Sequence, residues 1–175
     1  LARYEQGGEA RIGVVAGDVR TRAAADEMAL LTETFLLLGR KEAVERPPQQ
    51  VAPLIRRELT RLAPLLQRET LDIRLQLDEE SEVHAPLSLL AIALGNLLKN
   101  ALSYAEGHIE ITLHEQVLTI SNPTAAAPDQ ILGYGCGLTI IQRICEKLGW
   151  QIETRLEDGI FSARLVMIPG APGAA

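Results

Sequence analysis

Leu94-Gly-Asn-Leu-Leu-Lys-Asn-Ala-Leu-Ser-Tyr104 lies within a longer run, Leu87 to Tyr104, whose apolar spacing is helical, opened after Pro86 and stopped near Gly107. At about 100° per residue, Asn96, Asn100 and Ser103 fall within about 60° of one another, with Tyr104 at the edge of the group. Leu90, Leu94, Leu97, Leu98 and Ala101 take the opposite side. The pattern therefore predicts a helix with one face in a core and the other in a polar pocket. An asparagine oxygen is a neutral hard ligand, suited to a magnesium ion that keeps waters and bridges phosphates. Taken alone, the two asparagines read more readily as the solvated face of an amphipathic helix, the commoner situation for that residue.

The second segment of chemical interest is Gly133-Tyr-Gly-Cys-Gly137-Leu138, which runs into a helical pattern ending at Leu148. Amides without side chains can approach an anion closely, and a helix N-terminus favours negative charge. A glycine-rich turn alone is as readily a flexible loop as a phosphate cradle.

Outward from these segments, Leu71 to Leu77 alternates apolar and polar residues, as a strand with one buried face does, and a polar stretch from Asp78 to Glu82 closes it. Ile109 to His114 and Val117 to Ser121 form a hairpin with its turn at Glu115-Gln116. A second hairpin joins Trp150 to Arg155 with Ile160 to Met167 through Asp158-Gly159. Val51 to Arg68 repeats its apolar residues at helical spacing. From residue 47 the order helix, strand, helix, hairpin, helix, hairpin predicts an α+β fold, a two-layer sandwich with one mixed sheet covered by helices on one face.

Upstream, Ala24, Met28, Leu31, Phe35 and Leu38 mark one face of a long helix within residues 11–42, preceded by a turn at Gly7-Gly8 and ended by Arg46-Pro47-Pro48. Its apolar stripe does not say whether its partner is this domain or a second copy. The expected organisation is residues 1–46 as a helical region, 47–168 as one domain, and a Pro/Gly/Ala tail at 169–175, expected to be disordered.

Bulk composition narrows the function classes. The 175 residues carry a formal charge of -6 with no basic run, so nucleic acid is not an expected partner. Aromatics are 3% against 47% hydrophobic residues, so the core must be aliphatic. Cys136 and Cys145 lack metal-ligand spacing, no stretch reaches the roughly 20 apolar residues of a membrane span, and reduced cytosolic thiols are the default. Because the chain opens on Leu1 rather than Met, it is expected to be part of a longer polypeptide, whose remainder leaves room for a membrane anchor.

Leu94 to Tyr104 resembles the N-box of sensor histidine kinases, and Gly133-x-Gly-x-Gly-Leu-x-Ile-Ile141, about thirty residues later, resembles their second glycine box. The resemblance spans roughly residues 47 to 168 and implies the Bergerat-type ATP-binding fold, shared with gyrase and MutL ATPases. It implies ATP and Mg2+ as cofactors, Asn100 as magnesium ligand, and Asn96 beside the phosphates or assisting the metal. It further implies Tyr104 flanking the nucleotide, Gly133, Gly135, Gly137 and Leu138 at the phosphates, and Asn122 at the base. Lys99 lies about 60° from Asn96 and is within reach of a phosphate, although a solvated lysine is the commoner reading. Related ATPases carry at the position of Asn96 a glutamate that activates water; an amide cannot act as that base, which favours phosphoryl transfer over hydrolysis. Residues 28–40 resemble the second helix of the dimerisation domain, implying a homodimer through residues 11–42, a cytoplasmic location and a response regulator receiver domain as partner.

Three departures from the family pattern stand out. After the strand ending at Ser121 the chain reads Asn122-Pro-Thr-Ala-Ala126, without the aspartate and glycines of the first glycine box. Only ten residues separate Asn122 from Gly133, which makes for a short lid. No histidine precedes His84, so the phosphoacceptor is expected upstream of this chain, and His84, His108 and His114 are read as structural or exposed. No catalytic residue is assigned. The leading expectation is the catalytic region of a histidine kinase, inactive alone. The alternative is a degenerate dimeric scaffold that docks a response regulator, and a serine kinase of the anti-sigma-factor type is disfavoured by the long helix.

Overall fold

The computed structural model describes residues 10–12, 32, 36, 39, 45–65, 71–125 and 136–168. Eight strands are present among them: β1 (Ala10–Ile12), β2 (Pro48–Gln50), β3 (Asp72–Leu77), β4 (Glu82–His84), β5 (His108–His114), β6 (Val117–Pro123), β7 (Gln151–Glu157) and β8 (Ile160–Val166). Three helices accompany them: α1 (Val51–Leu62), α2 (Leu87–Tyr104) and α3 (Cys136–Leu148). The main sheet has the order β1-β3-β5-β6-β8-β7, with β3 and β5 parallel and the other neighbours antiparallel. The expected α+β sandwich with a mixed sheet is the architecture found.

Strand register explains why one face is dry. Leu77 and Leu113 are paired, as are Leu113 and Leu118, Leu118 and Leu165, and Leu165 and Ile152. One apolar row thus crosses five strands, and the next begins at Leu75, Ile111, Ile120 and Ala163. On the helical side α2 is the centre: it packs against α1, α3 and β6. Leu89, Leu90, Leu94 and Leu98 are fully buried in it. By length and composition α2 would pass for a membrane span, but 56% of that window is buried inside the domain, as befits a core helix.

Local chemistry sets the element ends. Pro53 falls in the first turn of α1, where its missing N–H costs nothing, whereas Pro64 turns the end of α1 into a short 3-10 segment, Ala63–Leu65; the expected helix end at Arg68 lies outside the described residues. Asp158 and Gly159 both have positive φ, 51° and 74°, as a tight two-residue hairpin turn requires.

Several short elements depart from expectation. Residues 48–50, for which no strand was expected, form with β4 a separate two-stranded sheet, flanked by bonds from Val51 N–H to Ser81 O and from Ala85 N–H to Pro47 O. Arg11 and Ile12, placed within the long helix, belong instead to β1 on the sheet edge, paired with Arg74 and Ile73. Thr32, Leu36 and Gly39 are helical and exposed, at positions flanking the apolar stripe. The rest of 13–44, including that stripe, and the tail at 169–175 lie outside the described residues.

Candidate nucleotide site between two helices

Asn96 is held by its own helix: its Nδ2 donates to the Ile92 carbonyl at 2.8 Å. With the nitrogen committed, Oδ1 faces away from the helix backbone. It faces Gly137, in the first turn of α3, where a Cβ would stand 3.0 Å from Asn96 Oδ1 and 3.6 Å from Asn100 Oδ1. Two amide oxygens from α2 therefore converge on the N-terminal turn of α3. A side chain at 137 would press on Asn96 Oδ1, which would have to give by a few tenths of an ångström against its bond to Ile92. Helix α3 begins at Cys136, two residues before the expected Leu138, so Gly137 and Leu138 belong to its first turn rather than to a preceding loop.

Close approach recurs on the other side of α2. A Cβ at Gly95 would lie 3.0 Å from Arg61 Nη2 and 3.2 Å from Glu58 Oε2. Glu58 is buried and paired with Arg61 at 2.7 Å, so an ion pair of α1 rests directly on the backbone beside Asn96. This support was not anticipated, although Glu58 and Arg61 three residues apart on a helix are a readable pair.

The strand end opposite is built differently. Asn122 has 1% exposure and pairs in register with Phe161. Its Nδ2 donates to Pro123 O at 3.1 Å, while Oδ1 is buried with no hydrogen-bond partner among the described residues. Such an orphan acceptor costs roughly 1–3 kcal/mol, which marks it as a group waiting for a donor. Thr124, also buried, ties this end to the second hairpin by donating its N–H to Gly159 O at 2.8 Å.

The remaining site candidates divide. Lys99 and Asn100 are half-buried on the same helix. Tyr104 is half-buried with its ring packed against the core, while Ser103, grouped with it by periodicity, is exposed. Leu138 has its side chain in the core, leaving its backbone amide for any ligand. Gly133 and Gly135, and most of the short lid, lie outside the described residues. His84 and His114 are exposed and His108 is half-buried at a strand start. Cys145 is buried, and burial first, then Glu146, pushes its thiol up to about 11, so it is an inert packing residue.

The donor set suits a magnesium nucleotide: two neutral oxygens, a helix N-terminus for phosphate and a buried acceptor for an amino group. No family model and no curated protein matches the chain. Solved structures do. The cytoplasmic segment of histidine kinase QseC superposes with a TM-score of 0.65 at 21% identity, over 83% of this chain and 95% of that one. Acinetobacter baumannii histidine kinase AdeS gives 0.64 at 20% identity, over 83% and 79% of the two chains. Full-length ShkA in complex with AMPPNP gives 0.61 at 17% identity, over 87% of this chain and 40% of that one. With its single helix-covered mixed sheet and its two asparagines facing a helix N-terminus, this chain is built on the fold of the histidine kinase catalytic domain.

Proposed function

We propose that this chain is the catalytic region of a sensor histidine kinase, binding Mg-ATP in the cleft between α2 and α3. The carrying observation is the convergence of Asn96 Oδ1 and Asn100 Oδ1 on Gly137. Asn100 would ligate the metal, with Asn96 assisting it or contacting phosphate. The first-turn amides of α3, preceded by Gly133 and Gly135, would hold the phosphates. Asn122 Oδ1 would accept from the exocyclic amino group of adenine; its Nδ2, already donating to Pro123, fixes the oxygen as the group presented. Lys99 and Tyr104 would flank the nucleotide. Magnesium supplies charge neutralisation at the phosphates, and the protein supplies position, which is most of what in-line phosphoryl transfer needs. With asparagine at position 96 the site has no general base there, so the γ-phosphoryl passes to an acceptor histidine on an upstream helix and thence to a response regulator aspartate. The AMPPNP bound by ShkA supports the nucleotide assignment by analogy of fold. A homodimer through the helix within residues 11–42, a cytoplasmic setting and division of the chain near residue 47 complete the reading.

Calorimetric titration with ADP and magnesium tests the site: micromolar binding lost in Asn100→Ala is expected. Labelling of a histidine by radioactive γ-phosphate, with the upstream helix restored, tests the reaction. If Mg-ATP binds and no histidine is ever labelled, the kinase assignment is wrong. A second reading, a dimeric scaffold docking a response regulator, draws on Asn122-Pro-Thr standing where glycines are expected; absence of ADP binding is its signature.

A further inference from the structure

Helix α3 ends in a glycine cap: Gly149 has φ of 76°, and Trp150 N–H returns to the Cys145 carbonyl at 2.9 Å. That closure leaves the carbonyls of Lys147 and Leu148. Arg46 takes both, Nη1 donating to Leu148 O and Nη2 to Lys147 O, each at 3.1 Å. The backbone around Arg46 is itself anchored, with His84 Nδ1 3.3 Å from the Arg46 carbonyl and Ala85 N–H donating to Pro47 O at 3.2 Å. A residue of the connector from the upstream region thus grips the far end of the helix whose first turn faces Asn96 and Asn100.

We infer that Arg46 is a positioning residue for phosphoryl transfer, fixing the angle between the connector and α3. The inference rests on the kinase reading above. Helix α3 is seated in the core through Ile140, Ile141, Ile144 and Leu148, so what the grip restrains is the connector. A swing of about 10° of the connector over a lever of about 20 Å of upstream helix moves a group carried on it by about 3 Å, as much as the whole separation allowed between reacting atoms. The nucleotide cleft itself, made by α2 and the first turn of α3, does not include Arg46. Loss of the grip should therefore leave binding intact and spoil delivery. Planar guanidinium geometry matters, since its two Nη atoms each reach one carbonyl in a fixed fork, whereas a lysine must serve both from a single nitrogen on a flexible stem.

The test compares Arg46→Ala and Arg46→Lys in the chain extended upstream to its acceptor helix, measuring ADP affinity by calorimetry and histidine labelling by single-turnover kinetics. Expected are ADP affinities within about twofold of the unsubstituted chain, transfer at least about tenfold slower for Arg46→Ala, and an intermediate rate for Arg46→Lys. Should the alanine variant not fold, the lysine variant carries the test, with slowed transfer at unchanged affinity. Unchanged transfer in a folded variant overturns the inference, as does a loss of transfer matched by an equal loss of affinity. Absence of ADP binding by the unsubstituted chain overturns the kinase reading, and this inference with it.

Discussion

The two ends of the proposed cleft are made on different principles. At the phosphate end, α2 and α3 approach so closely that a Cβ at 137 would stand 3.0 Å from Asn96 Oδ1, and the asparagine opposite is pinned by a hydrogen bond to its own helix. At the base end a single neutral amide, Asn122, is buried at a strand terminus with its oxygen unpaired. At the first, the amide nitrogen of Asn96 is committed to its own helix, which fixes where its oxygen is presented. The second carries an unmet bond, a cost to the fold that a ligand would relieve. Precision at one end and unmet demand at the other suit a ligand whose phosphates are placed accurately and whose base is bound by one key contact.

The largest expected effect comes from Gly137→Ala. Alanine is the better helix former, so helix propensity alone predicts a gain. Crowding against Asn96 Oδ1 instead should displace that amide oxygen and weaken Mg-dependent ADP binding by about a hundredfold, measured by calorimetry. Unchanged affinity would mean that α2 and α3 do not jointly form the phosphate end.

Asn122→Leu should separate stability from binding. Removing a buried unpaired oxygen, at the cost of the weak bond to Pro123, should leave the unfolding free energy within about 1 kcal/mol of the original or raise it. ADP affinity should fall about tenfold, and preference for ADP over GDP should vanish, since a keto group offers nothing to an acceptor. A variant both less stable and equally tight-binding would make Asn122 merely structural.

Cys145 offers a control on α3. Its folded thiol, raised to about 11 by burial, should resist alkylation at pH 8 and become reactive only on unfolding. Because the proton is held more tightly in the folded state, this contribution to stability is intact below the unfolded thiol pKa of about 8.5 and is lost as pH rises towards the folded value. Gly137→Ala should leave the alkylation rate low if its defect is local. Lys99→Ala is expected to be the smallest change, within about twofold in ADP affinity, by the same calorimetry.

The asparagine face of α2 and the boundaries Leu87 and Tyr104 were legible because helical periodicity is local and Pro86 and Gly107 punctuate it. The first hairpin was legible for the same reason, its alternation spanning several residues. β1, β2 and β4 were not, since three residues are too few to display a period and their pairing is with distant chain. Glu58 on Gly95, and Arg46 on carbonyls about a hundred positions away, have no local signature at all.

By itself, then, the sequence determined the order of the longer elements, the aliphatic core and the residue types available for a magnesium nucleotide, because these follow from patterns within single segments. Only the tertiary structure decided that Gly137 meets Asn96 and Asn100, that Asn122 is buried with an unpaired oxygen, and that Arg46 caps α3. Those are distances between segments, set by how the helices pack on the sheet, and no periodicity along the chain encodes a distance across it.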